Sequence, residues 1–322
     1  MEHPGDESVR LALDDAVPER TIDDIRSAGP SWNDQNRTVR VDFADSEPVF
    51  LKVATDGDGS RITRECAVID YVATHCDVPV PQVVASETQG AVPYLITAPI
   101  RGQNLASRWP DWSSTERTSA VRRVGSALAA IHSRSFWQHG HVVGGDGAEL
   151  DLETDPWTEI LVDRIELMRE LASTDRFEHH FDDVIAAVEA NRDRLNDAPA
   201  TLVHGDPARP NCFQSGSSAG FVDWELSHVG DPARELHRAR DQLLPDNGED
   251  TQRLAAVLED GYERRAGSLP SGLDERTPIY DAVRLLGTSG FFDKWVEFAD
   301  VSLPDAETRL EAKLDRKLDE IR

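Results

Sequence analysis

The sequence predicts an α+β chain of two lobes, a small β-rich one over about 1–99 and a larger helical one over about 100–322. Three observations predict it. Residues 37–54 hold two short apolar runs joined by a turn, the pattern of a hairpin. From about 113 onward, apolar residues recur at helical spacing through most of the chain. One stretch, 201–225, interrupts those helices with prolines, glycines and a dense set of polar side chains. A chain of 322 residues fits two domains or one large two-lobed one, and at this size burial of roughly 75% of the unfolded surface needs no disulfide or metal staple.

The elements follow in order. Residues 1–30 are polar, with a short helical stretch around 7–14. In 37–43, Val39, Val41 and Phe43 share one face; Ala44 to Pro48 turn the chain; 49–54 returns. Residues 61–75 carry Ile62, Cys66, Ile69 and Val72 at helical spacing until Pro79 and Pro81 end the run. Short strands follow at about 80–86 and 93–98. Past Gly102, Ser113 and Glu116 form a capping box that opens a helix with Val121, Val124, Leu128 and Ile131 on one stripe. Residues 157–172, 177–195, 251–265, 279–299 and 305–321 read as further helices, and the Gly144–Gly147 run as a surface turn.

Charge and composition exclude several functions. Sixty acidic against 34 basic side chains give a net charge of −26, which opposes binding to nucleic acid or anionic membranes. No apolar run approaches the ~18 residues of a membrane span, and the acidic first twenty residues lack the apolar core of a signal peptide. Cys66, Cys76 and Cys212 are too few and too scattered for a disulfide framework, in keeping with a reducing, cytoplasmic setting. Only four of the basic residues are lysines. Acid excess with lysine scarcity suggests a halophilic-type protein, whose self-repulsion disappears when ~1 M salt shrinks the Debye length to about 3 Å.

The lysine scarcity singles out Lys52, the one lysine in the first 293 residues, set inside the apolar run Val49–Ala54. Glu65, beside the apolar stripe of helix 61–75, is its natural partner. The segment 201–225 supplies the rest: Asp206 before a loop forced by Pro207 and Pro210, then Asn211 and Asp223 on the two arms of a hairpin. If that hairpin centres on Ser217, Asn211 and Asp223 lie opposite each other, about 4.5–5.5 Å apart at Cβ. An amide oxygen and a carboxylate so placed can share Mg²⁺, which takes few protein oxygens and leaves its other positions to water and phosphate. The order D-x4-N-x11-D is what phosphoryl transfer needs: one carboxylate for the acceptor hydroxyl, and an amide and a second carboxylate for the metal. His132, His139 and His141 lack metal-like spacing and read as structural.

HGD-x4-N followed by VDWE and GDPARE resembles the aminoglycoside phosphotransferase and choline kinase superfamily, a branch of the protein-kinase-like fold. Arg64-Glu65 with VPVPQVV, PYLITAPIRGQNL and LAAIHS at 128–133 extend the resemblance over most of the chain. It implies a bilobal kinase-like fold, ATP and Mg²⁺ as cofactors, and a small-molecule hydroxyl of aminoglycoside, sugar or amino-alcohol type as acceptor. By it, Asp206 is the catalytic base, Asn211 and Asp223 hold Mg²⁺, Lys52 binds the α/β phosphates and Glu65 anchors Lys52. The Ser31–Asn36 loop sits where the family covers the phosphates, bringing Asn36 to the nucleotide, and the hinge near Thr97–Pro99 presents backbone groups to the base. His204 anchors the loop backbone, and Asp231 braces that loop. Arg209 stands where the family often has a histidine, to meet the transferred phosphate or to replace a structural contact. Trp224 and Glu225 could line the acceptor pocket, and Asp151, Glu153, Asp155, Glu159 and Glu225 would suit a cationic acceptor. A nucleotide-binding pseudokinase acting as sensor or scaffold is the alternative; the intact Lys, Glu, Asp, Asn, Asp set argues against it. A protein kinase is disfavoured because no HRD, DFG or APE triplet occurs. Acceptor identity, ATP against GTP and oligomeric state stay open.

Overall fold

The computed structural model describes residues 4–29, 35–170, 172, 174–244, 249–290, 292, 296 and 302–321. It opens with helix α1 (Pro4–Ala16), then strands β1 (Ile22–Ser27), β2 (Asn36–Phe43) and β3 (Val49–Ala54). Helix α2 (Ser60–His75) and strands β4 (Val83–Glu87) and β5 (Tyr94–Thr97) complete this part. The strands form one antiparallel sheet in the order β1-β2-β3-β5-β4. Alternation divides its faces as the sequence requires. Val39, Val41, Leu51, Val53 and Ile96 pack with Val9 and Leu13 of α1, while Ala54 and Leu95 pack with Ile62, Val68, Ile69 and Val72 of α2. Lys52 lies on the α2 face, opposite Thr38 on one side and Leu95 on the other. Strand β1 lay unread in the sequence because all six of its residues are exposed, so no alternation marks this edge strand. Thr97 ends β5, in register with Phe50 and Val83.

The helical part starts with β6 (Gln103–Asn104), α3 (Leu105–Arg108) and α4 (Ser114–His132). Ser113 and Glu116 form the expected capping box at the head of α4. There follow β7 (Gly140–Gly145), β8 (Leu150–Thr154), α5 (Trp157–Glu170), α6 (Glu178–Ala190) and α7 (Arg192–Asn196). The helix expected over 177–195 is thus broken at Asn191, whose side chain bonds the Ala187 carbonyl. Next come β9 (Thr201–Val203), β10 (Cys212–Ser215), β11 (Ser218–Phe221) and β12 (His228–Gly230). Helices α8 (Pro232–Leu243), α9 (Glu249–Ala266), α10 (Leu273–Gly290) and α11 (Leu303–Ile321) close the chain. The helix expected over 279–299 starts earlier, at Leu273; of its far end, 291, 293–295 and 297–299 lie outside the described residues. The glycine run at 144–147 belongs to a hairpin: Gly144 and Gly145 pair in β7 and the turn follows them.

Two cores support this part. One centres on α4, α9 and the floor of the sheet region, the other on α5, α6, α10 and α11. Helices α4 and α9 cross in contact because Gly125 and Gly261 carry no side chain there: a Cβ on either would fall within 2.1 Å of a carbonyl oxygen of the other helix. Between the cores run two small sheets, β11-β10-β6 and β8-β7-β12-β9. They carry the loop 204–211 and the turn 222–227 between them.

Candidate active site

Lys52 is where the two parts of the chain meet. Its ammonium donates to Glu65 Oε2 at 2.6 Å, to Asp223 Oδ1 at 2.6 Å and to Glu225 Oε2 at 3.2 Å. Asp223 and Glu225 are over 170 residues away in sequence. Burial alone would lower the lysine's ionisation, but Asp223, Glu65 and Glu225 together hold it well above its ordinary value, so it stays charged. Arg61 Nη1 also meets Glu225 Oε1, at 3.4 Å, but two cations do not satisfy three carboxylates. Burial, aided by Asp223 and Glu225, pushes the Glu65 carboxyl up to about 7 against the pull of Lys52. The remaining Glu65 oxygen accepts from the Trp224 amide, which ties α2 to the turn after β11.

That turn is bent at Asp223, the one described non-glycine residue with positive φ, 68°. A left-handed residue reverses the side-chain direction that the pleat would give. The bend matters because the β10–β11 register is one step off the expected centre. Ser215 pairs with Ser218 and Cys212 with Phe221, so the backbone of Asn211 meets Val222, not Asp223. The left-handed turn at Asp223 then aims its carboxylate at Lys52, with 41% of the side chain still open.

Asp206 ends a loop built by His204 and Gly205. Gly205 has φ 88°, and a Cβ there would lie 2.3 Å from the Leu226 carbonyl oxygen. His204 is fully buried; its Nδ1 accepts from the Asp206 amide at 3.2 Å and its Nε2 donates to the Val222 carbonyl at 3.1 Å. Burial lowers its ionisation, so it serves as a neutral spacer between loop and hairpin. The Asp206 carboxylate is held on both oxygens. Oδ1 accepts from Gln242 Nε2 at 2.7 Å and Arg238 Nη2 at 3.1 Å, and Oδ2 from Asn211 Nδ2 at 3.0 Å. A carboxylate oxygen has two lone-pair sites, so one remains on Oδ2. Because Asn211 spends its NH₂ on Asp206, its amide oxygen is the end left to accept. The free Asp223 oxygen and this amide oxygen are hard donors of the kind Mg²⁺ takes, so the donor set fits that ion. Glu65, Asp223 and Glu225 also lie within 4.8 Å of one another, but the Lys52 ammonium already sits among them.

Several expectations change place. Asp231 does not reach the 204–206 loop: its carboxylate accepts from Arg276, Tyr280 and the Ala233 amide. Glu235, which the sequence did not single out, holds that loop instead, accepting from the His204 and Gly205 amides at 2.9 and 2.6 Å and bonding His132 at 2.9 Å. Burial raises this carboxyl, yet His132, His204 and the Gly205 amide outweigh it and keep it ionised. Arg209 turns from the site, with its guanidinium 5.0 Å over the Trp109 ring and a bond to the Leu244 carbonyl. Glu225 lies beside Lys52, where it also takes Asn36 Nδ2 at 2.7 Å. Of the Ser31–Asn36 loop, 31–34 lie outside the described residues. Arg238 and Gln242 were also missed: on a charged helix, one arginine and one glutamine look like solvated surface.

A model of the phosphotransferase enzyme family matches residues 30–269. No curated protein matches the chain by sequence. Among solved structures, a Thermobifida fusca YX-ER1 protein provisionally assigned as a fructosamine-3-kinase is 21% identical, with 94% of this chain and 99% of that one covered and a TM-score of 0.61. Aminoglycoside phosphotransferase APH(2'')-Ib bound to ADP is 16% identical over 97% and 98% of the two chains, TM-score 0.62. A thermostable mutant of aminoglycoside phosphotransferase APH(4)-Ia, in a ternary complex with ADP and hygromycin B, is 17% identical over 96% and 97%, TM-score 0.61. These likenesses establish the kinase-like α+β fold, and the family match, over most of the chain and through every residue discussed at this site except Tyr280 and Arg276, establishes the rest: the chain belongs to the phosphotransferase enzyme family.

Proposed function

We propose that this phosphotransferase moves the γ-phosphoryl group of ATP to a hydroxyl of a small molecule, with Asp206 as the base. The observation that carries the reading is the 2.6 Å contact between Lys52 of the first sheet and Asp223 of the hairpin, next to Val222, whose amide donates to the carbonyl of Asn211, the residue that holds Asp206. In this reading the open lone pair on Asp206 Oδ2 takes the proton as the acceptor oxygen forms its bond to phosphorus and the bond to ADP breaks. Gln242 and Arg238 fix the carboxylate so that this oxygen faces the acceptor, a positioning effect obtained before the substrate arrives. Lys52, freed from part of its acid cluster when phosphate enters, neutralises the α/β phosphates. Asn211 and Asp223 would hold Mg²⁺, which when bound offsets the remaining phosphate charge. Asn36 acts through Glu225, and the β5 end at Thr97 offers the backbone edge for the base.

A screen of hydroxylated metabolites for ADP release in KCl buffer tests the reading. Acceptor-dependent ADP release that needs Mg²⁺, and that falls about 100-fold or more in kcat in Asp223→Asn, is expected. ADP release that no acceptor stimulates would leave a nucleotide-binding scaffold as the better description.

A further inference from the structure

Beside Asp206 the protein gathers positive charge, against the trend of a chain with a net charge of −26. Arg234 and Arg238 stand one turn apart on α8, and Arg164 reaches the same place from α5. Arg238 Nη2 bonds Asp206 Oδ1 at 3.1 Å. Arg164 Nη2 bonds the Leu226 carbonyl at 3.3 Å and His228 Nδ1 at 3.0 Å; that carbonyl is the one a Gly205 side chain would strike, so Arg164 ends next to the Asp206 loop. Arg234 lies 5.8 Å over the ring of Trp157, which stacks on His228 at 5.9 Å. The Trp157–His228 stack thus carries a guanidinium on each ring.

Neither Arg164 nor Arg234 has an ion pair among the described residues, and Arg234 makes no hydrogen bond there either. All three arginines keep part of their surface open. Burial and the neighbouring Arg238 push Arg234 down to about 10, and burial with Arg234, Arg238 and Arg64 holds Arg164 well below its usual range. A guanidinium keeps its charge in proteins, and of these three only Arg238 is paired, with Asp206; Arg164 and Arg234, which no described carboxylate contacts directly, are held at a cost that an arriving anion would relieve. Planar forks of this kind match carboxylate and phosphate oxygens.

We infer that Arg164 and Arg234, with Arg238 as the shared wall, form an oxyanion subsite for the acceptor. The acceptor is then a small hydroxylated anion, a carboxylate or a phosphate ester, not a cationic amino sugar. The spacing of one helical turn between Arg234 and Arg238 places its acid group roughly 5–8 Å from the hydroxyl that meets Asp206. This rests on the phosphotransfer reading for the hydroxyl, though the anion subsite is measurable without turnover.

The test is calorimetric titration of inorganic phosphate and of malonate into the ADP-saturated full chain at fixed ionic strength. Binding of at least one is expected, weakened about 10- to 100-fold in Arg164→Gln and in Arg234→Gln and retained in Arg234→Lys, with ADP affinity held in all. Which of the two binds tells a phosphate ester from a carboxylate. Absence of binding, or binding as tight in both glutamine variants, overturns the proposal, as does an adventitious ion displaced by ADP. Phosphotransfer is scored separately on glucuronate, glucose 6-phosphate, glucose and glucosamine. Transfer to glucosamine with no arginine-dependent anion binding sinks the subsite and leaves the kinase. Arginine-dependent anion binding with no transfer to any acceptor sinks the kinase and leaves the subsite.

Discussion

Glu65 is the residue whose protonation most reflects the electrostatics of the site. Its carboxyl shifts from an ordinary 4.5 to about 7 because it is buried and shares one ammonium with Asp223 and Glu225. Between those values the folded chain holds a proton that the unfolded chain has lost. Glu65 therefore contributes stability that is complete below pH 4.5 and is lost as pH rises through about 7. Glu65→Gln cannot titrate, so melting curves across that window should fall less steeply for the variant than for the wild type; parallel curves would contradict the shift. Single residues such as Lys52, Glu65, Asp206, Asn211 and Asp223 were legible in the sequence because rarity or motif spacing marked them. The register expected at Asn211 is one step off because the hairpin closes on the two residues Gly216 and Ser217, with Gly216 left-handed and Ser215 paired with Ser218, and does not centre on Ser217.

Helix α8 shows what sequence reading of elements missed. Its twelve residues, PARELHRARDQL, look like a solvated charged helix. Yet Glu235 and His237 are buried, Arg238 and Gln242 hold Asp206, and Asp231 caps the helix while bonding Arg276. The polar residues face inward because the loop 204–206 has backbone amides that only a carboxylate at this distance satisfies. Glu235→Ala would orphan the His204 and Gly205 amides and Nε2 of His132, costing about 3 kcal/mol or more. Chemical denaturation should show that loss; a change under about 0.5 kcal/mol, the level of a surface site, would mean the loop is held otherwise. Elements with one apolar face, such as β2, β3, α2 and α4, were readable for the opposite reason. Strands β1, β7 and β8 were not, since exposed or glycine-rich strands lack the period-two signal.

At the scale of the whole molecule, charge is the dominant feature. The acid excess lies mostly on open surface, so its repulsion is screened by salt, whereas the Lys52 cluster is buried and screened little. Melting temperature should therefore climb between dilute buffer and ~1 M KCl, and a flat profile would remove the salt-adapted reading. Among the described residues no helix is long and apolar enough to cross a membrane. Strands are most of the elements before residue 100 and helices hold most residues after it, and the hydrophobic period in the sequence changes from two to 3.6 at about the same place. How the parts meet was not legible: residue types paired Lys52 only with Glu65 of the same part, and its contacts with Asp223 and Glu225 come from the structure.

The account stands most directly on Asp206. In Asp206→Asn the hydrogen bonds from Asn211, Gln242 and Arg238 lose their charged acceptor, and the amide oxygen that remains is too weak a base to take the acceptor proton. Single-turnover transfer from Mg-ATP to the acceptor found in the screen should drop by about 10²–10⁴-fold, with ATP affinity within about twofold of the wild type. Transfer at the wild-type rate would contradict the account.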